Sequence, residues 1–143
     1  MTLAITSGFF NPIHPGHIEC FEMSRELSDE LWVIVNNDLQ AEMKRGVKSF
    51  QDENFRKKIV EALRAVDRAV IAIETTHTGS YETLEKLLIE AKASGKYDKI
   101  IFTKGGDRMK SEIPEAEICR KYGVEIVDGL GEKIYNSRDY VKY

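Results

Sequence analysis

Residues 7–17, SGFFNPIHPGH, set two histidines three positions apart among glycines and prolines. A turn needs the glycines and prolines but has no use for His14 and His17. Imidazole N–H groups donate to phosphate oxygens, and an imidazole can take up positive charge as a transition state grows more negative. Gly8 lets the backbone turn tightly or approach a ligand closely. Gly16, between the histidines, leaves room beside the backbone for a bulky phosphate. Pro15 suits the first position of a helix, where its missing N–H costs little. Such a helix start offers an anion free backbone N–H groups and the positive end of a dipole. The stretch therefore suits a polyphosphate at which charge develops. Two plainer readings stand beside it: a helix-start pair bonded to the backbone, or half of a zinc site. Zinc takes three or four ligands, and only Glu19 and Cys20 lie near. Asn11 could simply cap or turn the chain.

Other candidate chemistry is scattered. Lys44 and Arg45 lie in a polar segment, residues 36–51, and as a lone pair they read as solvated loop surface. Arg56 reads either as a surface charge on a helix or as a site residue. Lys104, Gly105, Gly106 and Asp107 form KGGD, which is turn chemistry unless its position gives it more. Ser137 can cap a helix, and Arg138 beside it is a good fork for phosphate. Tyr135 and Tyr140 nearby read as packing or as stacking partners for a base. No cluster of acids marks a metal site.

These residues need elements to position them. Residues 3–6, 31–35, 69–73, 99–103 and 124–127 are apolar runs of strand length. Helical patterns fill the intervals. One covers 15–29. A second covers 52–66, capped by Asp52, with Phe55, Ile59, Leu63 and Val66 as a stripe that reads as core. A third covers 79–95, with Ser80 as cap and Gly95 as stop. A short one runs from Pro114 to Gly123, and a last turn is expected from Ser137. Trp32, inside a strand, reads as core. The alternation predicts an α/β fold: a five-stranded parallel sheet with helices on both faces, as one domain over 1–143. In such folds ligands bind beyond the carboxyl ends of the strands, where strand order reverses. SGFFNPIHPGH and KGGDR follow the first and fourth strands.

The chain has 143 residues, enough for one domain with a real core. It is 42% hydrophobic and 31% charged, as in soluble globular proteins. A net charge of −3 argues against broad nucleic-acid binding and leaves a local basic pocket open. Cys20 and Cys119 are far apart, in no metal-like spacing, so reduced thiols are expected rather than a disulfide. The N-terminus has no basic n-region, and no apolar run approaches the roughly 20 residues of a membrane span. The expectation is a cytoplasmic protein with no signal peptide and no membrane partner.

GFFNPIHPGH resembles the G-x-F-[DN]-x-x-H-x-G-H signature of the cytidylyltransferase-like nucleotidyltransferases. Those enzymes move a nucleoside monophosphate from a nucleoside triphosphate to a phosphate-bearing acceptor and release pyrophosphate, on a Rossmann-like fold. Further matches follow in register over nearly the whole chain. VKSFQDENFRKKIVEALRAVD resembles the family's second helical region, where an acidic residue closely precedes an Arg. KGGD resembles the loop after the fourth strand, particularly in the branch that adenylylates heptose phosphates. YNSRD is similar to the last motif, where hydroxyls and a basic residue meet the triphosphate. The resemblance implies that His14, His17, Lys44 (a mobile lysine) and Arg138 are catalytic. It implies that Gly8, Phe9, Phe10, Asn11, Gly16, Arg56, Lys104, Gly105, Gly106, Asp107 and Ser137 meet the nucleotide. It also implies Mg²⁺ held mostly by substrate and water, and it leaves a homodimer open. Asn11 with Pro12 is more similar to the nicotinamide- and nicotinate-mononucleotide adenylyltransferases, and only one hydroxyl, Ser137, stands in the last motif. The acceptor stays open between a sugar phosphate, a mononucleotide and glycerol phosphate. KGGD favours ATP over CTP. The remaining alternative is a non-catalytic nucleotide-binding module with the same pocket.

Overall fold

In the computed structural model, which describes residues 1–75, 81–105 and 114–130, the apolar runs are strands and the intervals between them are helical. The strands are β1 (Thr2–Gly8), β2 (Glu30–Val35), β3 (Arg68–Ile71), β4 (Lys99–Gly105) and β5 (Glu125–Leu130). The helices are α1 (Pro15–Glu26), α2 (Asp38–Arg45), α3 (Glu53–Glu61), α4 (Glu82–Ser94) and α5 (Ala116–Lys121). All five strands pair in parallel, in the order β3-β2-β1-β4-β5. The first three strands step one way across the sheet, and the chain then returns to lay β4 on the other side of β1. Strand order thus reverses between β1 and β4, where a ligand crevice forms in open α/β sheets.

Alternation along the strands divides the core. Leu3, Ile5, Trp32, Ile34, Ile100 and Phe102 face α4 and α5, meeting Leu84, Leu87, Leu88 and Cys119. Ala4, Leu31, Val33, Val35 and Ile101 face the other way, toward Phe21 of α1 and Val60 of α3. Covering both faces explains why the central strands are apolar throughout. This is the expected Rossmann-like five-stranded sheet with helices on both faces. Trp32 is core as expected, and both cysteines are buried and free of disulfide. Among the described residues no helix is long and apolar enough to cross a membrane.

The structure corrects several local expectations. The polar segment 36–51 contains α2, so Lys44 and Arg45 sit in a last helical turn and not in a loop. Asn37 and Gln40 form a capping box there, and Gly46 ends the helix with φ 76°. α1 stops at Glu26 rather than at Asp29, whose carboxylate instead accepts from the Thr2 N–H at 2.7 Å. α3 is capped by Asp52 as expected but ends at Glu61. Its predicted core stripe is wrong at Phe55, which is 53% exposed, while Arg56 is 1% exposed. Lys104 and Gly105 are the last residues of β4 and not part of a loop after it. Ser80, Gly106, Asp107, Tyr135, Ser137, Arg138 and Tyr140 lie outside the described residues.

Candidate active site

The carboxyl end of β1 is built from contacts that each require the next. An added Cβ at Gly8 would lie 2.8 Å from the Phe10 ring, so the glycine is what lets that ring fold back over the strand. Phe10 takes φ 52°, a left-handed conformation that costs an L-residue energy and must be held by its surroundings. Its ring meets His17 edge-on at 5.0 Å and Phe21 at 5.3 Å. His17 in turn stacks on His14, with ring centroids 3.7 Å apart and planes 19° from parallel.

The two histidines form a reciprocal cap at the start of α1. His14 Nδ1 accepts from the Gly16 N–H, and His17 Nδ1 accepts from the His14 N–H, both at 3.1 Å. A neutral imidazole that accepts at Nδ1 carries its proton on Nε2. Burial pushes the His17 pKa down to about 3, with the nearby His14 as a second cause, so His17 is neutral at physiological pH. The backbone donors of the helix start are engaged internally. Gly16 N–H goes to His14 Nδ1, His17 N–H goes to the His14 carbonyl at 2.9 Å, and Pro15 has none. The expectation of free helix N–H groups for an anion is therefore corrected: the N–H groups of this motif's side chains are on the imidazoles.

Arg56 holds the loop that carries the motif. Its Nη1 donates to the carbonyls of Phe9 and Asn36, both at 2.7 Å, and its Nε donates to the Gln51 carbonyl at 2.9 Å. Nη2 pairs with Asp38 at 2.8 Å. A guanidinium can serve four acceptors in one plane, which explains its inward place on α3. The alternative of a solvated surface charge is thus excluded. Asn11 is buried, and its side-chain oxygen accepts from the Gln51 N–H at 3.1 Å, which ties the motif to the same segment. Lys44, at the end of α2, places Nζ 4.6 Å from the centre of the Phe9 ring. On the far side of β1, Lys104 Nζ lies 3.4 Å from Ser7 Oγ and 3.6 Å from Glu115 Oε2. Gly105 packs against the Leu130 carbonyl and Cys20; an added Cβ would stand 3.2 Å from that carbonyl.

Gly8, Phe9, Phe10, Asn11, His14, Gly16, His17, Lys44 and Arg56 therefore share one end of the sheet, with Lys104 and Gly105 on the neighbouring strand. Sequence reasoning missed Asp38, Gln51, Ser7 and Glu115. Asn37-x-x-Gln40 followed by Gly46 was a readable helix signature that would have placed Asp38 and Lys44 on one element.

Comparison with known proteins places the chain in a family. The cytidylyltransferase-like family model matches residues 5–130. Bifunctional protein HldE of Azorhizobium caulinodans is 30% identical over 128 residues, 89% of this chain but only 24% of that protein, so the chain spans about a quarter of its length. FAD synthase of Aciduliprofundum boonei is 32% identical over 126 residues, 88% of this chain and 75% of that protein. Among solved structures, a lipopolysaccharide core biosynthesis protein from Thermoplasma volcanium superposes with a TM-score of 0.66 at 31% identity, covering 95% of this chain and 99% of that chain.

Proposed function

Since the chain belongs to the cytidylyltransferase-like family, we propose that it is a nucleotidyltransferase that transfers AMP from ATP to the phosphate of a small sugar phosphate, releasing pyrophosphate. The observation that carries this reading is the stacked pair His14 and His17, each fixed through Nδ1 so that its proton sits on Nε2. Two neutral donors, rigidly placed, stabilise charge as it gathers on a leaving pyrophosphate. The acceptor phosphate is a nucleophile near neutral pH and needs no general base. One of its oxygens bonds to the α-phosphorus. The bond from that phosphorus to the oxygen bridging to the β-phosphate breaks, and its electron pair leaves with pyrophosphate. The work left to the protein is alignment and neutralisation.

In this reading Lys44 leaves the Phe9 ring to reach the triphosphate. Arg138 and Ser137 supply further phosphate contacts, together with the backbone N–H groups of Gly8, Phe9 and Phe10, and Gly16 and Asn11 shape the same loop. Lys104, Gly105, Gly106 and Asp107 border the nucleoside. Arg56 acts by holding the Phe9 carbonyl and not by touching the nucleotide. Mg²⁺ enters with ATP. Among the described residues no three His, Cys, Asp or Glu gather into a metal site, which suits an ion held by phosphates and water. KGGD and the Thermoplasma relative named for lipopolysaccharide core biosynthesis support a sugar phosphate. The FAD synthase likeness supports a second reading, in which the acceptor phosphate carries a flavin.

The test is thermal stabilisation by ATP, CTP, GTP and UTP with Mg²⁺, followed by pyrophosphate release with a panel of acceptors. A ligand at a hundred times its Kd adds about 2.7 kcal/mol of stability. Stabilisation by ATP above the other three, with release on adding sugar phosphates, is the expected result. A preference for CTP would make the protein a cytidylyltransferase and move glycerol phosphate to the front. Release with flavin mononucleotide alone would establish the second reading. ATP binding without release for any acceptor would leave a binding module.

A further inference from the structure

A cavity of about 140 Å³ opens on the α4 face of the sheet, at the same carboxyl end as the histidines. Ile34, Phe102 and Leu84 form its apolar part, and Ser7, Lys104 and Glu115 are among its polar lining. Ser7 directly precedes Gly8, so the cavity and the histidine motif share the end of β1. Most of its other polar groups are engaged. Both oxygens of Glu74 accept from Thr83, at 2.9 Å from its N–H and 2.6 Å from its hydroxyl. The Gln40 side chain closes the cap of α2 through the Asn37 N–H at 2.9 Å.

Glu115 is different. Its side chain is 8% exposed, and among the described residues its Oε2 accepts no hydrogen bond. Lys104 Nζ stands 3.6 Å away, near enough for charge attraction but beyond hydrogen-bond distance. A buried carboxylate oxygen without a donor is costly, and such groups are rare enough to call for a cause. A donor delivered by a ligand supplies one.

We propose that this cavity receives the hydroxyl-bearing body of the acceptor, a polyol or sugar joined to the attacking phosphate, and that Glu115 selects it by accepting a hydrogen bond from one of its hydroxyls. Lys104 has three donors, and one ammonium can face Ser7 and Glu115 and still meet the acceptor without losing its carboxylate neighbour. The carboxylate disfavours an acceptor that would place a second phosphate or a carboxylate at this wall. It equally disfavours a bare aromatic ester, which would leave Oε2 buried and unpaired. The inference rests on the transferase reading of the neighbouring histidines.

Calorimetric titration with glycerol 3-phosphate, ribose 5-phosphate, phenyl phosphate and inorganic phosphate tests it, in the presence of Mg²⁺ and the α,β-methylene analogue of ATP. The two hydroxylated esters are expected to bind about tenfold more tightly than phenyl phosphate and inorganic phosphate, since a hydrogen bond to a charged group is worth that much. Glu115→Ala should erase the difference while leaving the weaker pair unchanged. Glu115→Gln keeps the volume and an acceptor oxygen, so it should retain part of the difference, and it serves where the alanine variant folds poorly. Equal binding of all four ligands to the wild type overturns the proposal, as does an equal loss for all four in both variants. Stabilisation by ATP is read separately. Its absence would sink the adenylyltransferase reading, whereas its presence without hydroxyl discrimination would sink only the role given to Glu115.

Discussion

His17 joins stability and chemistry in one side chain. Its Nδ1 completes the cap of α1, and its Nε2–H is the donor assigned to the triphosphate. Replacing it with glutamine keeps an acceptor where a capping box needs one but no longer fixes an N–H at the imidazole Nε2 position while that acceptor is engaged. His17→Gln should therefore melt near the wild-type temperature, lower kcat by about 10²-fold and leave nucleotide Kd within about tenfold. Near-normal turnover in steady-state assays would remove His17 from the transition state. The same residue sets a pH dependence. The unfolded chain protonates this imidazole near 6.5, the folded chain only near 3. Between those values the unfolded state binds more protons, so stability falls as pH falls, by at most about 1.4 kcal/mol per unit. Glu30, Glu85, Glu90 and Asp98, whose carboxyls are held below their ordinary values by hydrogen bonds, add losses in the same direction only in the more acidic range. Urea titrations between pH 6.5 and 5 should show the imidazole's slope in the wild type and a flatter line in His17→Gln. Parallel lines would contradict the assignment.

At the scale of elements, polar contacts tie α2 and α3 to each other and to the strand ends, beside the apolar packing of Val60. The Asn37 side chain donates to the carbonyls of Ala72 and Glu74 beyond β3 at 2.9 and 2.7 Å, and the Asp38 N–H reaches Glu53 of α3 at 2.9 Å. Arg56 closes this arrangement against the Phe9 carbonyl. Its loss would strand three carbonyls and one carboxylate, so Arg56→Ala should cost about 3 kcal/mol in urea denaturation. Arg56→Lys should recover less than half of that, because an ammonium cannot span the same fork. Both variants should also weaken stabilisation by ATP, since the loop carrying the motif loses its anchor. An alanine variant within about 1 kcal/mol of wild type would mean the helices hold their places without it.

For the whole molecule, one sheet separates two packed layers, and each layer carries one buried thiol. Cys20 belongs to α1 on one face, and Cys119 to α5 on the other. Burial raises the Cys20 thiol above its ordinary value and pushes Cys119 up to about 12. Neither thiol should react until the chain opens. If the layers unfold together, a thiol reagent should label both at one slow rate, and urea should accelerate both equally, as mass spectrometry of the labelled peptides would show. Faster labelling of Cys119 would mean that the α4–α5 layer opens by itself. The alternation of apolar runs with helical patterns determined the five parallel strands and the two covered faces, because strand period and core burial are written locally. The H-x-G-H spacing likewise marked the end of the sheet at which the proposed chemistry lies. It could not show that the N–H groups of the α1 start are engaged by the histidines themselves, nor that Arg56 and not Phe55 turns inward on α3. The pairing of Lys104 with Glu115 was equally hidden. Each of these depends on which carbonyls and carboxylates distant segments leave without a partner, and only the assembled sheet brings those groups within hydrogen-bonding reach.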